Sequence, residues 1–315
     1  MYFSVVIPLY NKKDYIGRAI ASVLEQSFND YELLIVDDGS TDGGADVVTE
    51  FDDPRIHLVK QKNGGCSAAR NRGIQEASAE YIAFLDADDI WLPNFLQSIY
   101  EMIKVYPQAG VYSTACGLVN SENKQSNVQL AGIPGGSGWR GIVPNYFRCL
   151  DGGWSPVWSN CVCVPMTTFR AVGTFNEKLH IGEDIDMWVR IALKFPMAFL
   201  NEVHAMYFRN AEGRVSNADN PGEPPLSYAG EVLRVIETGQ VNDYDASSMK
   251  YFLDKFNYLS AVACLRIGMP RLSRQWIAQI GKTRGNLRLK IWLVIILSYL
   301  PASAGKSVVR FRESL

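Results

Sequence analysis

Within the first 105 residues, short apolar runs alternate with amphipathic stretches, and two of those runs stop on carboxylates. Phe3 to Leu9 (FSVVIPL), Tyr31 to Val36 (YELLIV), Arg55 to Lys60 and Tyr81 to Leu85 (YIAFL) read as strands. Asp14 to Gln26, Thr41 to Phe51, Ser67 to Ala77 and Pro93 to Val105 read as helices. In the first helix Ile16, Ala19, Ile20, Val23 and Leu24 share one face, and Asp14 is the expected N-cap. A strand–helix–strand–helix order predicts an α/β fold: a mostly parallel sheet with helices on both faces. In such sheets, ligands bind beyond the carboxyl ends of the strands. Val36-Asp37-Asp38-Gly39-Ser40 and Leu85-Asp86-Ala87-Asp88-Asp89 fall at that edge.

Past residue 105 the pattern loosens. Residues 117–140 are rich in Gly, Ser and Asn and read as a long loop. Ser159 to Val164 and Val203 to Arg209 read as strands, and Glu183 to Phe195 as a helix. From Pro225 onward the chain reads as helical: Leu226–Thr238, Ala246–Ile267, Pro270–Ile280 and Asn286–Leu300. The expected division is a catalytic domain over 1–220 and a helical C-terminal extension over 221–315.

Charge separates the two parts. Residues 1–244 carry 19 Lys/Arg against 30 Asp/Glu, a balance of −11; residues 245–315 carry 12 against 3, a balance of +9. The whole chain is near neutral at −2, which argues against nucleic acid as its partner. The basic residues Lys282, Arg284, Arg288, Lys290, Lys306, Arg310 and Arg312 flank the apolar run Ile291–Leu300. Cationic flanks around apolar surface suit an anionic membrane; burial against the catalytic domain, or in a homodimer, fits the run equally well. The run is half the roughly 20 residues a spanning helix needs. No basic segment or cleavage site precedes the first strand, and the six scattered cysteines have no metal-binding spacing. The expectation is a cytoplasmic protein with free thiols; a peripheral place on the inner face of the cell membrane and burial of the apolar run stay open side by side.

Four groups of residues carry chemistry. Asp38 at a strand end can accept hydrogen bonds from a base or ribose, or can serve only the turn. Asp86, Asp88 and Asp89 lie within four residues, and a hard divalent cation relieves their repulsion. Glu183 and Asp184 open a helix, where the dipole favours carboxylates; a general base or a plain helix start are both open. Asn63 to Gly73 (NGGCSAARNRG) offers glycines for close backbone approach, with Arg70 and Arg72 available to phosphate. There is no GxGxxG, no GxxxxGK[ST] and no GxSxG, so dehydrogenase, P-loop and Ser-hydrolase readings have no support.

Taken in order, VVIPLYN, VDDGSTD, NGGCSAARNRG, FLDADD and GEDIDMW resemble glycosyltransferase family 2, the inverting sugar-nucleotide transferases of GT-A (Rossmann-like) fold. The resemblance covers residues 3–216. It implies base and ribose contacts from Pro8, Tyr10, Asp38 and Asp86, beside the phosphate contact read for Arg70, and a divalent metal (Mn²⁺ or Mg²⁺) held by Asp88 with Asp86, with Asp89 assisting. It implies Asp184 as general base, with Glu183 as second choice, and Trp188 as an acceptor wall or a core residue. The implied partners are a nucleotide-sugar donor, a UDP-sugar favoured, and a glycan or lipid-linked acceptor, in the synthesis of cell-surface polysaccharide or glycolipid. Where family members often carry a metal-binding His, this chain has Asn210. A nucleotidyltransferase and a sugar-nucleotide-binding subunit without catalysis are the competing functions.

Overall fold

The computed structural model describes residues 1–120, 122, 124–128, 130–151, 154–179, 182–209, 211, 229–239, 246–281 and 286–299. The chain divides into two compact units, Met1–Gly213 and Arg214–Leu315. The expected boundary at 220/221 lies outside the described residues.

The first unit opens as the sequence predicts. β1 (Phe3–Leu9), α1 (Lys13–Leu24), β2 (Tyr31–Asp37), α2 (Gly44–Thr49), β3 (Ile56–Lys60), α3 (Cys66–Glu76) and β4 (Tyr81–Phe84) follow in order. They are succeeded by β5 (Ile90–Trp91), α4 (Phe95–Val105), β6 (Val111–Val119), β7 (Gln125–Asn127), β8 (Arg140–Ile142) and α5 (Tyr146–Asp151). β9 (Val162–Pro165), α6 (Met166–Val172), α7 (Glu183–Ala192) and β10 (Met197–Phe208) complete the unit.

All ten strands join one sheet, in the order β3-β2-β1-β4-β9-β6-β10-β5, with β7 on β6 and β8 on β10. The long pairings are parallel: seven residues for β1–β2, five for β2–β3 and nine for β6–β10. The antiparallel pairings are short, two to four residues each. β1 and β2 are covered on both faces, as parallel strands between helical layers must be. α3 lies so close to β1 that a Cβ on Gly73 would stand 2.3 Å from Val6 Cγ1.

β9 runs antiparallel to both β4 and β6. This reversal leaves β1, β2, β4, β6 and β10 all pointing one way. Their carboxyl ends, at Leu9, Asp37, Phe84, Val119 and Phe208, therefore share one edge with the start of β9. Every acidic motif of the first unit arrives there.

Two expectations are corrected. Asp14 is not the N-cap of α1; Lys12 holds that position, and the Lys13 N–H donates to Asp42 Oδ2 at 2.8 Å from the neighbouring loop. Residues 117–140 are not one long loop. β6 runs on through Val119 and pairs with β7, because Val119 and Leu118 are buried. Composition hid this: β7 is Gln-Ser-Asn, fully exposed and held by backbone bonds alone.

In the second unit α8 (Ala229–Thr238), α9 (Ala246–Ile267), α10 (Pro270–Ala278) and α11 (Asn286–Ser298) are helical where expected. Ala261, Cys264, Leu265, Trp276, Val294 and Leu297 form a core among α9, α10 and α11. No described helix is long and apolar enough to cross a membrane. All six cysteines are free.

Candidate active site

At the ends of β1 and β2, short polar loops hold one another. The Thr41 N–H donates to Asn11 Oδ1 at 2.8 Å, and the Asn11 N–H to Ser40 Oγ at 3.1 Å. Asn11 takes a left-handed φ of 49°, which Asn tolerates better than most residues. Asp38 is buried and accepts from Gln61 Nε2, Gly64 N and Gly65 N, each at 2.8 Å. Its carboxylate thus fixes the Gly64-Gly65 turn that launches α3. Gly65, at φ 91°, supplies a backbone geometry that a side chain resists. Beside this pair of loops Tyr10 is 49% exposed, and Pro8 is half-buried in β1.

Arg70 rises from α3 and joins two motifs. Its guanidinium donates to Asp86 Oδ1 at 2.8 Å and to Glu183 Oε1 at 3.0 Å, and lies 5.4 Å from the Phe175 ring. Asp86 is 16 residues away in sequence and Glu183 is 113. Burial disfavours the Arg70 charge, but the facing Asp86 and Glu183 carboxylates more than reverse this and hold it charged. Two carboxylates so close need that charge between them. Cys66 beside it is no nucleophile: burial pushes its thiol up to about 12.

Asp184 follows Glu183 at the first turn of α7, behind Gly182 in a left-handed conformation. Among the described residues it enters no ion pair; its Oδ1 accepts the Ile185 N–H at 2.7 Å. Burial, with the Glu183 charge second, pushes its pKa up to about 6. A carboxylate near neutrality is basic enough to take a proton and still largely ionised at pH 7.

In the Asp86–Asp89 turn the three carboxylates divide. Asp86 faces Arg70. Asp88 pairs with Lys12 Nζ at 3.1 Å, and Arg18 donates to the Asp88 carbonyl oxygen while stacking 3.8 Å over Phe208. Asp89 is fully buried and accepts from Asn160 Nδ2 at 2.7 Å and Phe208 N at 2.9 Å. The expected assistance of Asp89 to a metal is therefore corrected: its oxygens brace β9 and β10. Trp188 is likewise corrected as an acceptor wall. It is 0% exposed and packs edge-on against Phe175 at 5.9 Å, on the buried side of α7 with Met187, Val189 and Ile191. His204 is buried in β10 beside Ser98, as the strand reading had it. Asn210 lies outside the described residues.

Residues 4–140 match the family Glycosyl transferase family 2, and residues 81–225 match Glycosyl transferase family group 2. Over residues 4–225 the chain belongs to glycosyltransferase family 2. It is similar to the uncharacterized glycosyltransferase alr2836 of Nostoc sp., 45% identical over 114 residues, 35% of this chain and 35% of that one. TuaG of Bacillus subtilis, named for teichuronic acid biosynthesis, is 43% identical over 103 residues, 32% of this chain and 41% of that one. The matches thus span well under half the length of either relative. The crystal structure of S. aureus TarS 1–349 in complex with UDP-GlcNAc superposes with a TM-score of 0.69, covering 98% of this chain and 89% of that one. Its 18% identity shows the shared GT-A-like fold alone.

The family resemblance implies a divalent metal, and the donor set fits one in part. Asp86 and Asp88 offer hard carboxylate oxygens at the sheet edge. No group of three or more His, Cys, Asp or Glu is arranged to cage an ion among the described residues. These two carboxylates suit a cation that takes its other ligands from diphosphate and water.

The sequence reading passed over one feature of this family 2 site. Trp154 and Trp158 stack at 5.3 Å and 14°, and Trp158 meets Tyr207 edge-on at 5.4 Å. The signal was present in Trp154-Ser155-Pro156-Val157-Trp158, but a pair of tryptophans in a loop has no periodicity to draw attention to it.

Proposed function

We propose that this chain is an inverting glycosyltransferase that moves a sugar from a nucleotide-sugar donor to a hydroxyl of a glycan or lipid-linked acceptor. The observation that carries the reading is the Asp86–Arg70–Glu183 bridge. It brings the Asp-x-Asp turn and the Glu-Asp helix start to one point, with Asp184 beside it and, among the described residues, outside any ion pair. The nucleotide lies over the ends of β1 and β2, between Tyr10 and the Asp38-held loop. A UDP-sugar is favoured, in keeping with the TarS structures described with UDP-GlcNAc and UDP. The relative named for teichuronic acid biosynthesis supports a role in cell-surface polysaccharide synthesis.

In the reaction, Asp184 takes the proton of the acceptor hydroxyl as that oxygen bonds to the anomeric carbon. The bond from that carbon to the diphosphate oxygen breaks, and its electron pair leaves with the nucleotide. A single in-line displacement inverts the anomeric centre. A metal bound through Asp88 and Asp86 would offset charge on the leaving diphosphate. Lys12, which now pairs with Asp88, is placed to contribute positive charge at the same point.

The test is nucleoside diphosphate release from UDP-, GDP- and dTDP-sugars with Mn²⁺, Mg²⁺ or EDTA. The expected result is release from one donor class, suppressed by EDTA, with Asp88→Ala binding that nucleotide more weakly in the presence of Mn²⁺. Equal wild-type nucleotide affinity with and without metal would remove the metal from the scheme. No donor turnover and no nucleotide binding would remove the transferase reading.

A peripheral membrane position is favoured by α11. Its buried side feeds the helical core through Val294 and Leu297, while Leu289, Trp292, Ile296 and Tyr299 fall along the other side at 56–73% exposure. Trp and Tyr on an exposed apolar stripe suit the lipid headgroup region. Flotation with vesicles rich in anionic phospholipid should carry the full chain and leave a Trp292→Glu/Ile296→Glu variant behind. Equal flotation of the two proteins would count against the membrane.

A further inference from the structure

We propose that Trp154, Trp158 and Tyr207 form a preset platform for a pyranose ring of the acceptor, on the far side of the Asp86–Asp89 turn from the nucleotide. The inference rests on the glycosyl-transfer reading above and adds where, and by what contact, the acceptor is held.

The loop that carries the platform is unusually well tied. The Trp158 Nε1–H donates to the Ser155 carbonyl oxygen at 2.6 Å, and the Val157 N–H to Ser155 Oγ at 3.1 Å. Ser113 Oγ donates to the Pro156 carbonyl oxygen at 2.9 Å, fixing the loop to β6. The Cys161 N–H returns to the Trp158 carbonyl oxygen at 3.1 Å. Trp158 and Tyr207 also pack against the main core of the unit. These bonds cost the loop its freedom before any ligand arrives, which lowers the entropy lost on binding. They fix Trp158, and on Trp158 is stacked Trp154, one face covered and 36% exposed. Indole surface held rigidly in water is what a binding site needs and a core does not.

The ligand class follows from the ring. An aromatic face carries negative charge density. The axial C–H bonds of a pyranose present a flat, weakly positive, apolar face, while its hydroxyls point outward to water. The position selects the acceptor over the donor. Along the sheet edge the order is β2, β1, β4, β9, β6, β10. Nucleotide candidates sit at β2 and β1, the Asp-x-Asp turn follows β4, and the platform belongs to the ends of β9 and β10. Asp89 ties the two halves together. It binds Asn160, two residues after Trp158, and the N–H of Phe208, one residue after Tyr207. The roots of both arms are thereby fixed to the residue next to Asp88.

The test uses the full chain and its Trp154→Ala and Trp154→Phe variants. Saturation-transfer NMR is recorded with the methyl pyranosides of glucose, galactose, mannose and N-acetylglucosamine, and UDP binding is measured by calorimetry on the same samples. The expected result is binding of at least one methyl pyranoside through its ring C–H protons. Affinity should fall about tenfold in Trp154→Ala and be largely kept in Trp154→Phe. Unchanged UDP binding in both variants would show that the fold and donor site are intact. Equal pyranoside binding by Trp154→Ala and wild type, equal loss in both variants, or no pyranoside binding by wild type would each overturn the platform. UDP bound normally in any of those cases leaves the donor reading standing. Loss of UDP binding in the wild type would sink that reading separately.

Discussion

Asp184→Asn should abolish sugar transfer while making the protein more stable at neutral pH. Removing a general base costs about 10²–10⁴-fold in rate. Donor binding should persist, because Asp184 is not among the groups that line the nucleotide loops. The stability gain follows from the same environment. Burial and the Glu183 charge raise Asp184 from the ordinary 3.8 to about 6. The native state therefore holds this proton more tightly than the unfolded chain does. That contribution to stability is complete below pH 3.8 and is lost as the pH rises through 6. At pH 7.5 the wild type keeps a partly buried charge that Asn lacks, a difference on the order of 1–3 kcal/mol. Thermal melts at pH 7.5 and pH 4.5 measure it: the variant should melt higher at pH 7.5, and the gap should shrink at pH 4.5. In the wild type, transfer should fall as the pH drops below about 6, where Asp184 takes up its proton. Near-wild-type transfer by the variant, or a gap that widens on acidification, would remove Asp184 from the role.

Arg70→Met should be the most destabilising of the site variants. It leaves Asp86 and Glu183 facing one another in a partly buried setting with no cation between them. Losing one partner of a buried ion pair costs about 3–5 kcal/mol. For a unit of this size that is a fall in melting temperature on the order of 10 °C. Arg70→Lys should recover little, because a single ammonium cannot reproduce the fork that reaches both carboxylates. Adding Glu183→Gln to Arg70→Met should restore part of the loss by removing one of the two stranded charges. A melting temperature unchanged in Arg70→Met would show that the bridge carries no stability. Equal stability of the single and double variants would show that Glu183 is not what Arg70 holds.

The early strands and helices were legible because they rest on local patterns. In β1, β2 and α1 a run of apolar residues, or apolar residues at helical spacing, decides burial and conformation together. The two strand-end acidic motifs were legible for a related reason: carboxylates that follow a buried parallel strand are confined to the edge of the sheet. So the fold class, the edge on which the site lies and most of its acidic residues follow from the chain alone. The sequence was mute where pairing is supplied by backbone bonds, as in β7, whose Gln-Ser-Asn has no apolar face to report.

Other assignments required the packed molecule. Nothing local distinguishes the three carboxylates of Asp86–Asp89. One faces Arg70, one Lys12, and one is consumed by Asn160 and Phe208, partners up to 119 residues away. Trp188 stands beside a motif and Trp154 beside none, yet it is Trp188 that α7 turns into the core and Trp154 that keeps exposed indole surface. The sequence by itself determined which residue types reach the edge of the sheet, because short-range periodicity sets conformation and burial. Only the tertiary structure decided which charge neutralises which and which aromatic face stays open, because those depend on distances between segments that the chain order does not encode.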